Sequence, residues 1–247
     1  MEQVFFNTVL GARPLQPDGS SFYYSDYSFK AKLVYYGAKW PCCSGTLPQI
    51  AADYRISAWF RSARGVYVNL YLPSTLRWND RGAQFALRQS TSYPYDSQIR
   101  LDVTASSPAE FSVFLRIPAW ARGASLTTSG MRDSRQLEAG TFAEIRRQWK
   151  NGDRIELDLP FATRLQAVDA QHPDVMALVT GPLVLMALRE GDAPLEPVAR
   201  TALLAAKLTA EQGHEWVAGS GLSTLRLKPF VDLGDAPYTT YLKVTES

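Results

Sequence analysis

Cysteine is scarce in this sequence: there are two in 247 residues, and they are neighbours, Cys42 and Cys43. That excludes the disulfide framework that staples small secreted domains, since a bridge between sequence neighbours is strained and no third cysteine offers another partner. Histidine is equally rare. His172 and His214 lie far from the cysteines and show no metal-ligand spacing. An excess of one charge is missing too: 26 Lys and Arg against 24 Asp and Glu leave a net charge of +2, with no basic run beyond Arg146-Arg147. Such a balance argues against a nucleic-acid partner. Long apolar runs are also lacking. The longest, Val175 to Leu188, is too short to span a bilayer and is broken by Gly181-Pro182. No charged-then-apolar leader with a cleavage site is visible at the start, so neither an export signal nor a membrane partner is expected.

What remains has the composition of a globular protein. Apolar residues make up 46% and charged residues 20%, ordinary proportions for a chain that buries a core. The length suits one large β domain or two small ones. From Val66 onward the apolar period is 2: Val66, Val68, Leu70 and Leu72 alternate with Tyr67, Asn69 and Tyr71. The same alternation recurs at Phe85–Leu87, Ile99–Val103, Phe111–Ile117, Ile155–Leu159 and Leu225–Leu227. Turn chemistry separates the runs at Asn79-Asp80-Arg81-Gly82, Ser106-Ser107-Pro108 and Asn151-Gly152-Asp153. Many short strands at this spacing predict a mainly β fold, an antiparallel sandwich or jelly roll. One short helix or insertion is expected within Pro197–Ala210, from Ala202, Leu203, Ala206 and Leu208.

The period is helical only near the start. Val4, Phe5 and Val9 read as one face of a short helix that Gly11 and Pro14 end. Residues 18–36 follow, dense in Phe and Tyr. Hydroxyl-tipped rings suit sugar faces, and a β-hairpin or packed irregular segment explains them as well. Next comes Trp40-Pro41-Cys42-Cys43-Ser44-Gly45-Thr46-Leu47-Pro48-Gln49. Thr46 and Gln49 have capping-box spacing, which predicts a helix over about 46–60 with Pro48 in its first turn. Leu47, Ile50, Ala51, Tyr54 and Ala58 form its apolar face. Cys42 and Cys43 then precede the positive end of the helix dipole, which favours thiolate over thiol.

Two readings of the cysteine pair stand side by side. They are small buried hydrophobes at a helix entry, or they are a metal site or nucleophilic thiolate, with a soft cation such as zinc relieving their mutual repulsion. Spacing does not choose between these. The carboxylates Asp26, Asp53, Glu110, Glu144, Asp153, Asp174 and Asp232 are scattered and read as caps, turns or solvated surface. Trp40 and Trp120 sit beside prolines at element edges, where packing explains them as well as a sugar site does.

A resemblance adds to this. The double-cysteine block, the helix to Asp53-Tyr54, and Val66-Tyr67-Val68-Asn69-Leu70-Tyr71-Leu72-Pro73-Ser74 resemble glycoside hydrolase family 127, the β-L-arabinofuranosidases. Five further segments fit in the same order: Phe5–Gly11, Leu115–Trp120, Trp149–Asp153, Gly181–Leu185 and Tyr238–Leu242. The resemblance implies a retaining hydrolase in which Cys42 is both nucleophile and zinc ligand and Cys43 a further ligand, with a carbohydrate as partner. It also implies that residues 1–62 are the last part of an (α/α)6 catalytic barrel and 63–247 an accessory β-sandwich. The family's other ligands, a glutamate and cysteine in Glu-x-Cys, and its acid/base glutamate lie upstream of the matching region. This chain therefore is expected to be inactive by itself, and to self-associate through apolar surface near its start. The alternative is a non-catalytic carbohydrate-binding or assembly module built on the sandwich.

Overall fold

The computed structural model describes residues 1–12, 16–18, 20–26, 31–37, 42–80, 82–133, 135–189, 195–209, 213–219 and 224–246, with the backbone alone at 21, 22, 42–45, 47, 48 and 132. The fold is mainly β, as the alternation predicts, and its described residues divide into two compact units: Met1–Ala52 with Thr163–Ser247, and Asp53–Ala162.

The chain opens with α1 (Glu2–Val4), which runs into a π-helical turn at Phe5–Val9. The wider turn changes which residues face inward. Phe5 and Phe6 are buried edge to face, 5.1 Å between ring centres, while Val4 is exposed, against the expected Val4–Phe5–Val9 face. The aromatic-rich stretch forms an antiparallel ribbon of β1 (Ser21–Ser25) and β2 (Leu33–Tyr36), with Tyr23 stacked on Tyr36. Tyr27 and Phe29 fall outside the described residues. Helix α2 (Cys42–Ile56) follows.

The unit of residues 53–162 is a sandwich of two sheets. Its strands are β3 (Trp59–Ser62), β4 (Gly65–Val68), β5 (Ser74–Asp80), β6 (Ala83–Thr91), β7 (Gln98–Ala105), β8 (Ala109–Arg116), β9 (Ser125–Thr128), β10 (Met131–Arg132), β11 (Phe142–Trp149) and β12 (Arg154–Asp158). One sheet has the order β10-β9-β12-β7-β6-β5 and the other β11-β8-β4-β3. The inner faces carry the alternating residues, Leu87, Ile99, Leu101, Val103, Val113, Leu115, Ile155 and Leu157, all buried. Each such side chain contributes about 1.5–3 kcal/mol over leaving it in water. Trp149, wholly buried, donates its indole N–H to the Phe111 carbonyl at 2.9 Å, so its one polar atom is satisfied.

Within this unit one pairing departs from the antiparallel expectation: β4 runs parallel to β8, Val66 opposite Val113 and Val68 opposite Leu115. The strand expected over Val66–Leu72 stops at Val68. There Arg116 Nε donates to the Asn69 carbonyl at 2.5 Å, and the Tyr71 hydroxyl donates to the Arg116 carbonyl. Those bonds pull Tyr71 inward, where it is wholly buried although simple alternation points it outward.

The other unit completes itself after residue 162. It adds β13 (Thr163–Ala167), β14 (Val175–Thr180), β15 (Leu183–Leu188), β16 (Val198–Ala199), α3 (Arg200–Leu204), β17 (Lys207–Leu208), β18 (Trp216–Ala218), β19 (Leu225–Pro229), β20 (Tyr238–Thr239) and β21 (Leu242–Thr245). Strand order is β16-β21-β14-β15-β19-β18-β17, with β13 beside β14 and β20 beside β15. The apolar run Val175–Leu188 is thus a hairpin, and α3 falls where the short helix was expected. No helix among the described residues is long and apolar enough to cross a membrane. The N-terminal segment is part of this unit: Ala31, Met186, Phe230, Leu233 and Tyr238 form one cluster, and the Tyr238 hydroxyl donates to the Asp26 carbonyl at 2.6 Å. Burial pushes the Tyr238 phenol above its ordinary value.

Candidate active-site segment and a cleft in the sandwich

Cys42 and Cys43 are the first two residues of α2. The helix begins four residues before the expected start at Thr46 and ends at Ile56, with Ala58 buried beyond it and Trp59 already in a strand. Thr46 and Gln49 are therefore both inside the helix and exposed, so they do not form the capping box that their spacing predicts. Pro48 lies past the first turn, where its missing N–H removes the bond that the carbonyl of residue 44 would otherwise accept. The correction moves the cysteines from just before the dipole's positive end into its first turn. The field of the helix dipole is concentrated in that turn. Trp40 and Pro41 lie outside the described residues.

Asp53 is eleven positions after Cys42 on a continuous helix, which at 1.5 Å per residue places it about 16 Å along the axis. It cannot complete a metal site with the cysteines. Ile50 and Ala51 are exposed, so the predicted apolar face of α2 is not covered at these positions, and Asp53 is exposed as well.

The other candidates have local tasks. His172 Nδ1 lies 2.9 Å from Asp169, and His214 Nδ1 3.2 Å from Asp232. Asp153 is buried in the turn after β11. Burial pushes its carboxyl up, but the Lys150 N–H at 2.9 Å, the Ser129 hydroxyl at 2.8 Å and Arg147 outweigh that and hold it below its ordinary value. Trp120 packs its ring edge against Phe161, 5.6 Å between centres. Among the described residues no group of three or more His, Cys, Asp or Glu converges on a possible metal position.

Sequence reasoning missed a cleft of about 820 Å³ within the 53–162 unit, at one end of the sandwich. The β3–β4 turn, the tips of β5 and β6, and the first residues of β8 surround it. Trp78 on β5 stacks against Phe85 on β6, 5.4 Å and 24° apart, and Phe111 of β8 meets both edge on. The Arg61 guanidinium lies 5.5 Å from the Trp78 ring centre. On the rim Arg146 donates to Glu110 at 2.7 Å, and Glu144 accepts from the Ser112 hydroxyl at 2.6 Å with Arg64 3.5 Å away. Only a fuller reading of Ser74–Asp80 as a strand could have found it, since that strand places Trp78 and Asp80 at the cleft.

These observations define a class first. The chain has the fold of part of solved glycoside hydrolase structures. It aligns with a chain described as "Glycoside hydrolase" at TM-score 0.77 and 24% identity, covering 99% of this chain and 48% of the other. A GH127 β-L-arabinofuranosidase from Geobacillus stearothermophilus T6 gives 0.78 and 24%, covering 99% and 46%. The GH127 β-arabinofuranosidase BT3674 gives 0.79 and 20%, covering 99% and 45%. This chain thus spans just under half the length of each of them. The particular family comes from the sequence of one unit: residues 65–161 match the GH127 middle domain of β-L-arabinofuranosidase. The family match is confined to residues 65–161, and the double-cysteine block lies before it. No curated protein matches the chain.

Proposed function

We propose that this chain is the part of a retaining glycoside hydrolase, acting on β-L-arabinofuranosides or related glycans, that carries the nucleophile Cys42. One observation carries the reading. A helix that opens on Cys42-Cys43 leads directly into a unit that matches the GH127 middle domain. In that reading the Cys42 thiolate attacks the anomeric carbon, forming a C–S bond as the glycosidic C–O bond breaks. The leaving oxygen takes its proton from an acid/base glutamate outside this chain. Water, deprotonated by the same group, then cleaves the C–S bond and returns the sugar with retained configuration. The helix N-terminus contributes by holding the nucleophile as thiolate.

Zinc suits the pair as a donor set, since two adjacent soft thiolates repel and a bound cation keeps both deprotonated. Cys42 and Cys43 make half of a four-ligand site, and the sequence has no third cysteine. The chain by itself is then inactive, because nucleophile and proton donor must be positioned together. Assaying the purified chain against an aryl β-L-arabinofuranoside tests this, alone and joined to an upstream catalytic half bearing the acid/base glutamate. Turnover is expected only from the joined form, and is lost in Cys42→Ala. Turnover unaffected by that substitution would overturn the assignment.

A further inference from the structure

We propose that the cleft at the end of the 53–162 sandwich binds a neutral oligosaccharide, apart from the cysteine segment. Its volume, about 820 Å³, lies in the range of ligand sites. Its charge is balanced: Arg61, Arg64 and Arg146 face Asp80, Glu110 and Glu144. Two of these pairs are joined, Arg146 to Glu110 at 2.7 Å and Arg64 to Glu144 at 3.5 Å. An anionic polymer needs an excess of cations to offset its own charge, and this lining has none. Ammonium ligands are disfavoured by the same balance.

A neutral polyhydroxyl chain fits instead. Sugar hydroxyls both donate and accept. Each arginine–carboxylate pair offers donors and acceptors side by side, matching hydroxyls on adjacent ring carbons. The Ser112 hydroxyl, 2.6 Å from Glu144, fixes one of those carboxylates in place. The apolar face of a sugar ring needs an aromatic wall, and Trp78, half-buried and braced by Phe85 and Phe111, supplies one. Arg61 now occupies the space 5.5 Å from the Trp78 ring centre, and its exposed side chain is free to swing aside. Ligand binding then replaces a cation–π contact with a stacked sugar ring.

The test is equilibrium binding by the purified 247-residue chain, read by calorimetry and by tryptophan fluorescence. The probes are arabinohexaose and xylohexaose, with an oligogalacturonide as the anionic counter-probe. Saturable binding of a neutral hexasaccharide is expected, weakened about tenfold or more by Trp78→Ala. Glu144→Gln serves where the tryptophan variant does not fold, since it keeps side-chain size and removes the charge, and is expected to weaken binding likewise. No binding of either neutral probe at millimolar concentration overturns the proposal. So does tighter binding of the oligogalacturonide, or binding that neither substitution changes. The measurement involves no turnover, so its outcome is independent of whether Cys42 is a nucleophile.

Discussion

Asn7 holds both sides of a turn that begins 175 residues later in the sequence. Its side-chain amide donates to the Pro182 carbonyl at 2.8 Å, and its side-chain oxygen accepts from the Val184 N–H at 2.7 Å. A second amide hydrogen goes to the Gln3 carbonyl, also at 2.8 Å, so Asn7 uses its full donor set. The first segment of the chain is thereby bound to the β14–β15 hairpin. Phe5–Gly11 and Gly181–Leu185, two segments that resemble the family separately in sequence, meet at this residue.

Replacing Asn7 with Ala leaves the Val184 N–H and the Pro182 carbonyl without their partner. Unfolding of the 1–52 and 163–247 unit should become easier by about 1–3 kcal/mol, with Asn7→Asp recovering the acceptor side alone. Urea unfolding followed by circular dichroism checks this, and equal midpoints for parent and Asn7→Ala would refute it.

Gly65 opens β4 at φ +147°, a backbone conformation that side chains rarely adopt, and a Cβ there would lie 2.1 Å from the Ser112 carbonyl oxygen. The close approach allows β4 to run beside β8. Gly65→Ala should cost about 3 kcal/mol or more, since backbone strain and a clash with main chain act together. Thermal melting reads the loss; an unchanged Tm would show that the parallel pair relaxes freely.

Glu215 is buried and receives two hydrogen bonds from Arg226, at 2.6 and 3.0 Å, with Lys228 3.4 Å away. The Arg226 bonds hold its carboxyl below the ordinary glutamate value, and burial opposes them without winning. The folded pKa is the lower one, so the carboxylate stabilises the fold above the unfolded value, about 4.3. That contribution is lost as pH falls through the folded pKa. Glu215→Gln is expected to lower Tm at neutral pH and flatten its decline below about pH 4.5. Parallel Tm–pH curves would sink the assignment.

The metal prediction concerns Cys42 and Cys43. With these two as its only cysteines, zinc affinity of this chain should fall far below that of a four-ligand structural site. Metal analysis after dialysis against a weak chelator is expected to find well under one zinc per chain. Full retention, abolished by Cys43→Ser, would show that the chain completes the site by itself.

Ile50 and Ile56 of α2 and Phe60 of β3 are exposed. Exposed apolar side chains of this size are what a further partner would cover. Self-association of the isolated chain is expected, and Ile56→Lys should reduce it. Light scattering showing a monomer at every accessible concentration would contradict this.

The sequence by itself determined the β class and most strand positions. Alternation of apolar residues at Ile99–Val103, Phe111–Ile117 and Ile155–Leu159 dictates which face is buried, because period 2 is a local property of an extended chain. It also determined the turn at Asn151-Gly152-Asp153 and the placing of two cysteines at a helix start. Tertiary structure alone decided the rest. Thr46 and Gln49 have the spacing of a cap, yet the helix runs through them from Cys42. Which residue begins a helix depends on packing and on the chain before it, which local spacing does not record. Parallel pairing of β4 with β8, the inward turn of Tyr71, the bonds from Asn7 to the 182–184 turn, and the meeting of Phe111 with Phe85 join residues 26 to 177 positions apart. Contacts at such separations follow from how sheets stack, and no periodicity along the chain encodes them.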